Sequence, residues 1–174
     1  MTRKLVAPFD SETVRSLHAG DRILLSGKIW TGRDAAHKRL CALLDEGKEL
    51  PVNLKGELIY FVGPCPAPPG FAIGSAGPTT SGRMDAYSPR LIDSCGLAGM
   101  IGKGFRSSDV IQAMQRGPAV YFAATGGAGA LISRCIKKAE VAAFDDLGPE
   151  AIFRLEIEDL PLVVAIDCYG KSLY

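Results

Sequence analysis

Leu58 to Val62 (Leu-Ile-Tyr-Phe-Val) form an uninterrupted apolar and β-prone run, which is typical of an interior strand. Pro64, Pro66, Pro68 and Pro69 follow, and they cannot belong to a central strand because proline lacks the ladder N–H. Other short apolar runs occur at residues 23–25, 97–101 and 119–124, and the first of these continues through Ile29 and Trp30. The sequence therefore predicts several buried strands that end in turns.

Segments with helical periodicity lie between these runs. Residues 33–46 place Ala36, Leu40, Leu43 and Leu44 on one helical face, and Gly47 is a typical C-terminal stop. Asp10 or Ser11 is suited to cap a short helix that continues to Leu17. Further helices are expected over about 81–94, where Pro89 should kink or interrupt the helix, over about 107–115 and over 128–135.

Strands that alternate with helices predict an α/β fold, here one domain over residues 1–174 with a mostly parallel central sheet. Three more strands are expected in the closing segment, at 141–144, 152–158 and 162–166. Leu155 and Ile157 alternate there with two glutamates, as in a strand with one face in solvent. A smaller second sheet layer is therefore expected beside the central sheet.

The charge of the chain is nearly balanced, with 20 Lys and Arg residues, 19 Asp and Glu residues and a formal net charge of +1. This balance argues against nucleic-acid binding and against an anionic membrane surface as partner, because both need excess positive charge. No apolar run approaches the roughly 20 residues of a membrane span, and no apolar core follows Arg3 and Lys4. These features predict a soluble cytoplasmic protein.

The five cysteines are scattered and form no CxxC pair, and only Cys41 lies near a histidine, His37. Metal sites need ligands that cluster at short spacing, and an odd scattered set of cysteines is typical of reduced thiols. The sequence therefore predicts that this chain by itself holds no metal.

The 20 glycines and 11 prolines concentrate between about residues 63 and 104 and again between 117 and 129. Three basic groups of residues lie at these turns or at predicted strand ends, where open α/β sheets usually bind ligands. In the first group, Arg33 opens a helix directly after a strand, so that its guanidinium and free backbone N–H groups suit a carboxylate or a phosphate. The alternative is an ordinary surface ion pair between Arg33 and Asp34.

The second group places Thr79, Thr80 and Ser81 before Arg83. One of these hydroxyls is expected to cap the helix that follows; if that helix starts early enough, Thr79 and Arg83 share a face and bind one small anion. In the third group, Lys103 stands between two glycines at a strand end. It is placed either to point its charge at a ligand or to face solvent from a turn.

The glycines at 126, 127 and 129 lack phosphate-loop spacing and are interpreted as close strand–helix packing, which leaves a nucleotide-binding module as a minor alternative. The sequence also contains no Ser/His/Asp arrangement and no acidic metal cluster. Three cations and a hydroxyl describe half of a site for a small dianion. Another group must supply the electrophile.

Several ordered motifs extend over nearly the whole chain: residues 20–21 with 25–27, 32–39 (Gly-Arg-Asp-Ala-Ala-His-Lys-Arg), 77–85 (Gly-Pro-Thr-Thr-Ser-Gly-Arg-Met-Asp), 101–104 (Ile-Gly-Lys-Gly), 147–152, and 159–161 with Asp167. In these motifs the chain resembles the C-terminal domain, or β subunit, of the class I iron–sulphur hydro-lyases, which comprise the class I fumarases and the L-tartrate dehydratases.

The resemblance implies a swivelling β/β/α domain that closes against a partner domain or subunit carrying a [4Fe–4S] cluster, one iron of which binds the substrate as a Lewis acid. It implies that Arg33, Arg83 and Lys103 bind the substrate carboxylates and that Thr79 transfers a proton at the carbon next to a carboxylate. Cys65 is not carried over as a cluster ligand.

The resemblance favours the β subunit of a two-subunit class I fumarase, which hydrates fumarate reversibly to (S)-malate in a hetero-oligomer with a cluster-bearing α subunit. The start of the chain at Met1, just before the domain, agrees with this expectation. An L-tartrate dehydratase β subunit is the alternative within the family, although Ala35 and Ala36 look more fumarase-like. A non-catalytic dicarboxylate-binding module is the alternative from another class, and it predicts tight dicarboxylate binding without a partner.

Overall fold

The structure is a computed structural model that describes residues 2–63, 67, 69–70, 72–74, 76–124 and 129–174. The prolines at 64, 66 and 68, Cys65, and the glycines at 126 and 127 lie outside the described residues.

The described residues form strands and helices that largely alternate along the chain. The elements are β1 (Thr2–Ala7), α1 (Ser11–Arg15), β2 (Arg22–Thr31), α2 (Asp34–Asp45), β3 (Leu58–Tyr60), α3 (Ser88–Cys95), β4 (Gly99–Gly102), α4 (Ser108–Arg116), β5 (Val120–Ala124), α5 (Gly129–Cys135), β6 (Ile136–Ala143) and β7 (Ile152–Ile166). Two 3₁₀ segments, Ser81–Met84 and Asp145–Glu150, precede α3 and β7.

All seven strands belong to one sheet in the order β1-β2-β3-β4-β5-β7-β6. The neighbouring strands from β1 to β5 all pair in parallel. Strand β7 runs antiparallel to β2, β5 and β6. The expected α/β class with a mostly parallel sheet is confirmed. The expected second layer is instead part of the same sheet, because β7 also pairs with β2 and folds the sheet back on itself.

The closing segment differs from expectation in its strand count. Residues 152–166 form one strand rather than two, and Pro161 lies within it opposite Leu24 of β2. The irregularity that broke the sequence pattern is Asp159, which has a φ of 50° and donates its backbone N–H to the Ser26 hydroxyl at 3.0 Å. The alternation of buried Leu155 and Ile157 with exposed glutamates is confirmed.

Two other elements also differ from the predictions. Strand β1 was not expected, because its basic residues interrupt the apolar pattern at this sheet edge. The helix expected over 81–94 is divided into the 3₁₀ segment Ser81–Met84 and α3. Pro89 lies in the first turn of α3, where its missing N–H costs nothing, so the proline starts a helix rather than kinking one.

The sheet has a hydrophobic cluster on each face, as the alternation of side chains along its strands requires. Leu58 and Tyr60 of β3 belong to the cluster enclosed by β7, α1 and α5, whereas Ile59 belongs to the cluster under α2, α3 and α4. Because β2, β3 and β4 are parallel, their carboxyl ends lie at one common edge of the sheet, beside the first turn of α2. Among the described residues, no helix is long and apolar enough to cross a membrane.

Candidate active site

Thr79 and Lys103 are brought together at the carboxyl ends of β3 and β4. The Thr79 backbone N–H donates to the carbonyl of Phe61 at 2.7 Å, and Thr80 pairs with Lys103 in a parallel bridge. The Ser81 N–H donates to the Lys103 carbonyl at 2.8 Å. Thr79 and Thr80 therefore follow the strand ends before the 3₁₀ segment begins at Ser81. The helical structure starts too late for Thr79 and Arg83 to share a helical face, so the condition for that arrangement is not met.

Arg33 enters the same edge from the end of β2. It is the N-cap residue of α2, and its side chain crosses Gly63, where an added Cβ would lie 2.9 Å from the Arg33 Cδ. Its Nε is buried and has no hydrogen-bond partner among the described residues. The Arg33 side chain is therefore held by close contact with the backbone, with guanidinium N–H capacity unused.

Arg83 is joined to the first turn of α2 by an ion pair. Its Nε and Nη2 donate to Oδ2 of Asp34 at 3.0 and 2.6 Å. The alternative of a surface ion pair between Arg33 and Asp34 is therefore wrong, since Asp34 pairs with Arg83. This contact connects the second predicted group of residues with the first.

The turn that carries Lys103 is fixed from below by a buried hydroxyl network. Tyr121 donates to the carbonyl of Gly104 at 2.9 Å, because that carbonyl can only accept, and the Ser81 hydroxyl then donates to the Tyr121 oxygen at 2.7 Å. A Cβ at Gly102 would lie 1.9 Å from the Ser81 Oγ, so this glycine is required by packing rather than by a ligand. Lys103 itself is exposed and has no ion-pair partner among the described residues.

His37 lies beneath the site, fully buried one turn into α2. Its Nδ1 lies 2.8 Å from the Arg33 carbonyl, which only accepts, so Nδ1 carries the proton and Nε2 is left without a partner among the described residues. Burial lowers the pKa of His37 to about 4, against the smaller opposing effect of the Arg33 carbonyl. A neutral imidazole therefore supports the backbone that presents Arg33.

The depressed pKa of His37 predicts a loss of stability in acid. The unfolded chain takes up this proton near pH 6.5, whereas the folded chain takes it up only near pH 4. The contribution of neutral His37 to the free energy of unfolding is therefore fully present above about pH 6.5, and roughly 3 kcal/mol of that free energy is lost as the pH falls to 4. We expect the free energy of unfolding of the parent chain to fall toward that of a His37→Asn variant over this interval, as measured by urea denaturation.

His18 provides the control for this measurement, because it is the only other histidine and its side chain is exposed. A His18→Asn variant should keep the pH dependence of the parent chain. Parallel pH curves for the parent chain and the His37→Asn variant would show that His37 is not the group responsible.

A buried ion pair joins Arg106 to Asp85, and no pattern in the sequence predicts it. Arg106 Nε donates to Asp85 Oδ1 at 2.7 Å, and Arg106 Nη2 donates to the Ser88 hydroxyl at 2.7 Å. The guanidinium carbon lies 5.2 and 5.0 Å from the ring centroids of Phe61 and Tyr121. Arg106 thereby braces the two strand ends that carry the site, although no local pattern in the sequence distinguishes it from a surface arginine.

The described residues offer no ligand set for a metal or cluster, since they contain no group of three or more His, Cys, Asp or Glu side chains placed to hold one. Four described cysteines have free thiols, at positions 41, 95, 135 and 168. Burial raises the pKa of each of these thiols, which opposes the thiolate form that binds iron. These residues therefore do not fit as ligands of an iron–sulphur cluster.

Comparisons with known proteins show the family to which this chain is related. The family model described as Fumarase C-terminus matches residues 3–174. The chain is 41% identical over 154 residues to the anaerobic class I fumarate hydratase of Escherichia coli. The aligned residues cover 88% of this chain and 28% of that protein. It is 36% identical over 156 residues to fumarate hydratase 2 of Leishmania major, with 89% of this chain and 28% of that protein covered.

An archaeal relative has nearly the length of this chain. A Methanocaldococcus jannaschii protein provisionally named L(+)-tartrate dehydratase subunit beta is 36% identical over 166 residues, with 92% of this chain and 85% of that protein covered. The chain thus spans less than a third of the two fumarate hydratases but most of this subunit. Its match to the family model over nearly all its residues places it, as a β subunit or C-terminal domain, in the Fumarase C-terminus family.

Proposed function

We propose that this chain is the β subunit of a two-subunit class I fumarate hydratase, which hydrates fumarate reversibly to (S)-malate. The observation that carries the proposal is the approach of Arg33, Arg83, Lys103 and Thr79 to one edge of the sheet. A small dicarboxylate needs cationic groups for both of its ends, and three cations around a hydroxyl supply them. The cytoplasmic location of the enzyme stays a prediction.

In this proposal the three cations bind the substrate carboxylates. Arginine forks suit carboxylates because two parallel N–H groups match two oxygens, and Lys103 adds a point charge. Removal of a proton from the carbon next to a carboxylate builds negative charge on that carboxylate. Cations that the fold already holds in place stabilise this charge without reorganisation, which lowers the barrier.

Thr79 is the proposed proton-transfer group. Its backbone is fixed to Phe61, the residue is half-buried, and its hydroxyl has no hydrogen-bond partner among the described residues. During dehydration the ionised Thr79 oxygen would accept the proton and become a neutral hydroxyl, the C–H electron pair would form the double bond and hydroxide would leave from the neighbouring carbon; hydration reverses these changes. A free hydroxyl is a weak base, and the cations beside it would favour its ionised form.

The [4Fe–4S] cluster is assigned to the α subunit in this proposal. The described residues of this chain do not fit as its ligands. The two fumarate hydratases extend well beyond the matched region, so further residues of the same chain would hold the cluster there. The archaeal relative is named as a beta subunit, so a second subunit would hold it in that case. We therefore propose a hetero-oligomer in which this chain supplies the carboxylate-binding cations and Thr79.

An L-tartrate dehydratase β subunit is the second candidate. The archaeal relative supports it, because that protein matches this chain over 85% of its own length, whereas the Escherichia coli enzyme is matched over 28%. Malate and tartrate are both hydroxy dicarboxylates, so the same cations serve either substrate. The two candidates differ in the substrate that the assembled enzyme consumes.

Co-expression with a cluster-bearing α subunit tests the proposal. After reconstitution without oxygen, we expect the complex to interconvert fumarate and (S)-malate, and we expect this chain alone to be inactive. Preferential dehydration of L-tartrate would select the second candidate. A complex with an intact cluster that acts on neither substrate would refute both, and tight succinate binding by this chain alone in calorimetry would then favour the non-catalytic module.

A further inference from the structure

The ion pair between Asp34 and Arg83 uses only one oxygen of the carboxylate. Arg83 Nε and Nη2 both donate to Asp34 Oδ2, at 3.0 and 2.6 Å. Oδ1 of the same carboxylate is buried and has no hydrogen-bond partner among the described residues. By contrast, Arg39 engages both oxygens of Asp146, at 2.7 and 2.9 Å. Asp34 therefore binds the Nε–Nη2 edge of the Arg83 guanidinium through one carboxylate oxygen, while its other oxygen has no partner among the described residues.

This contact leaves a second edge of the Arg83 guanidinium available for hydrogen bonds to a ligand. A guanidinium has five N–H donors, and Asp34 occupies the Nε–H and one N–H of Nη2. The opposite edge, between Nη1 and Nη2, still presents two parallel N–H groups, which is the arrangement that binds a carboxylate through both oxygens. The Arg83 side chain is otherwise about half exposed, at 52%, and would sample many rotamers without this contact.

Asp34 itself is held on a rigid element. It is the first residue of α2, whose first turn is fixed by two contacts from His37 to the Arg33 carbonyl, at 3.0 Å from the backbone nitrogen and at 2.8 Å from Nδ1. The next backbone N–H, of Ala35, donates to Glu150 at 3.2 Å. The backbone that carries the Asp34 side chain is therefore fixed by contacts of the helix that do not involve Arg83.

The same turn contains the partnerless polar atoms of the described structure. Buried side-chain nitrogen and oxygen atoms without a hydrogen bond occur, among the described residues, at Arg33 Nε, Asp34 Oδ1 and His37 Nε2. Folded proteins rarely leave such atoms unsatisfied unless a ligand or ordered water belongs there. Their concentration in one turn indicates that Asp34 adjoins a ligand site rather than an ordinary surface.

We propose that Asp34 is a positioning residue, which orients Arg83 so that its Nη1/Nη2 edge faces a carboxylate of the substrate. The inference rests on the proposed function and adds to it a carboxylate of this chain that acts through Arg83. Because the role is geometric, it requires a hydrogen-bond acceptor at residue 34 and does not require a negative charge.

Substitutions at residue 34 separate this role from two others. In the assembled enzyme, Asp34→Ala should raise KM for the dicarboxylate and weaken succinate binding by about 10- to 100-fold, as expected for a misplaced binding group. Asp34→Asn keeps an oxygen that accepts from Arg83, and it should recover affinity to within about threefold of the parent enzyme.

If Asp34 acted through its charge, both variants would bind the dianion more tightly. If it were only structural, both would keep KM and lower the free energy of unfolding alone.

Asp93→Ala is the matched control, because Asp93 forms an ion pair of similar exposure with Arg116. The Arg116 and Asp93 side chains are 55% and 42% exposed, against 52% and 35% for Arg83 and Asp34. It should leave KM and succinate affinity unchanged. Should Asp34→Ala fail to assemble, Asp34→Ser gives the same test. An unchanged succinate affinity in Asp34→Ala or Asp34→Ser, or an Asp34→Asn variant as weak as the alanine variant, would overturn the inference. Calorimetry with succinate needs no turnover, so it decides the role of Asp34 even if the complex proves inactive as a fumarate hydratase.

Discussion

Replacing Arg83 with methionine should lower kcat/KM of the proposed fumarate hydratase complex by about 10³-fold or more and leave the chain folded. In the proposed mechanism the substitution removes a fixed cation from the place where carboxylate charge builds, and the loss of one such group typically costs about 10²- to 10³-fold in kcat before weaker binding is added. The fold should tolerate the change, since Arg83 is about half exposed and its ion pair with Asp34 contributes little to stability. Steady-state kinetics and urea denaturation measure the two effects separately.

Arg90→Met controls for the loss of an exposed arginine, because Arg90 forms a comparable ion pair with Asp45 away from the site. This variant should keep full activity. Arg83→Lys should fall between the parent enzyme and Arg83→Met, since lysine restores the charge but not the paired N–H groups. If Arg83→Met retained activity within tenfold of the parent enzyme, the assignment of this residue to carboxylate binding would be wrong.

Elements with strong periodicity or chemical caps could be predicted from the sequence. The apolar spacing in residues 33–46 predicts α2, and Asp10 is one of two residues predicted to cap α1, which the structure confirms with a hydrogen bond of 2.8 Å from the Thr13 N–H. Such signals are local, so they do not depend on what the rest of the chain does. The 3₁₀ segment at residues 81–84 lacks such a signal, because pairing of Thr80 with Lys103, far away in sequence, decides where helical structure begins.

The sequence predicts which residues form the candidate site, and their roles stay a prediction, but it does not predict the contacts between them. Arg33, Thr79, Arg83 and Lys103 follow strands or lie in turns, and parallel strands that end at one edge bring such residues together. The sequence could not show that Asp34 pairs with Arg83 rather than with Arg33, because the choice depends on where the 3₁₀ segment passes α2. Contacts between side chains that are distant in sequence are set by tertiary packing.

Arg106 illustrates a residue whose role only packing reveals. Its side chain has no exposed surface, yet it stands three residues after exposed Lys103 in a glycine-rich turn. Burial lowers the pKa of Arg106, while the hydrogen bond to Asp85 raises it. The cost of burying this charge is thus offset by Asp85, Ser88 and two aromatic rings, and removal of either charge leaves the other uncompensated.

Arg106→Met should therefore lower the free energy of unfolding by about 3–5 kcal/mol, the usual cost of breaking a buried ion pair from one side. Urea denaturation measures this loss, and Arg116→Met, which breaks the exposed pair with Asp93, should cost much less because solvent screens that pair. If Arg106→Met does not fold, Arg106→Lys should still show a partial loss, because lysine keeps the charge without the fork. A loss as small for Arg106→Met as for Arg116→Met would mean that the pair with Asp85 does not brace the strand ends that carry Thr79 and Lys103.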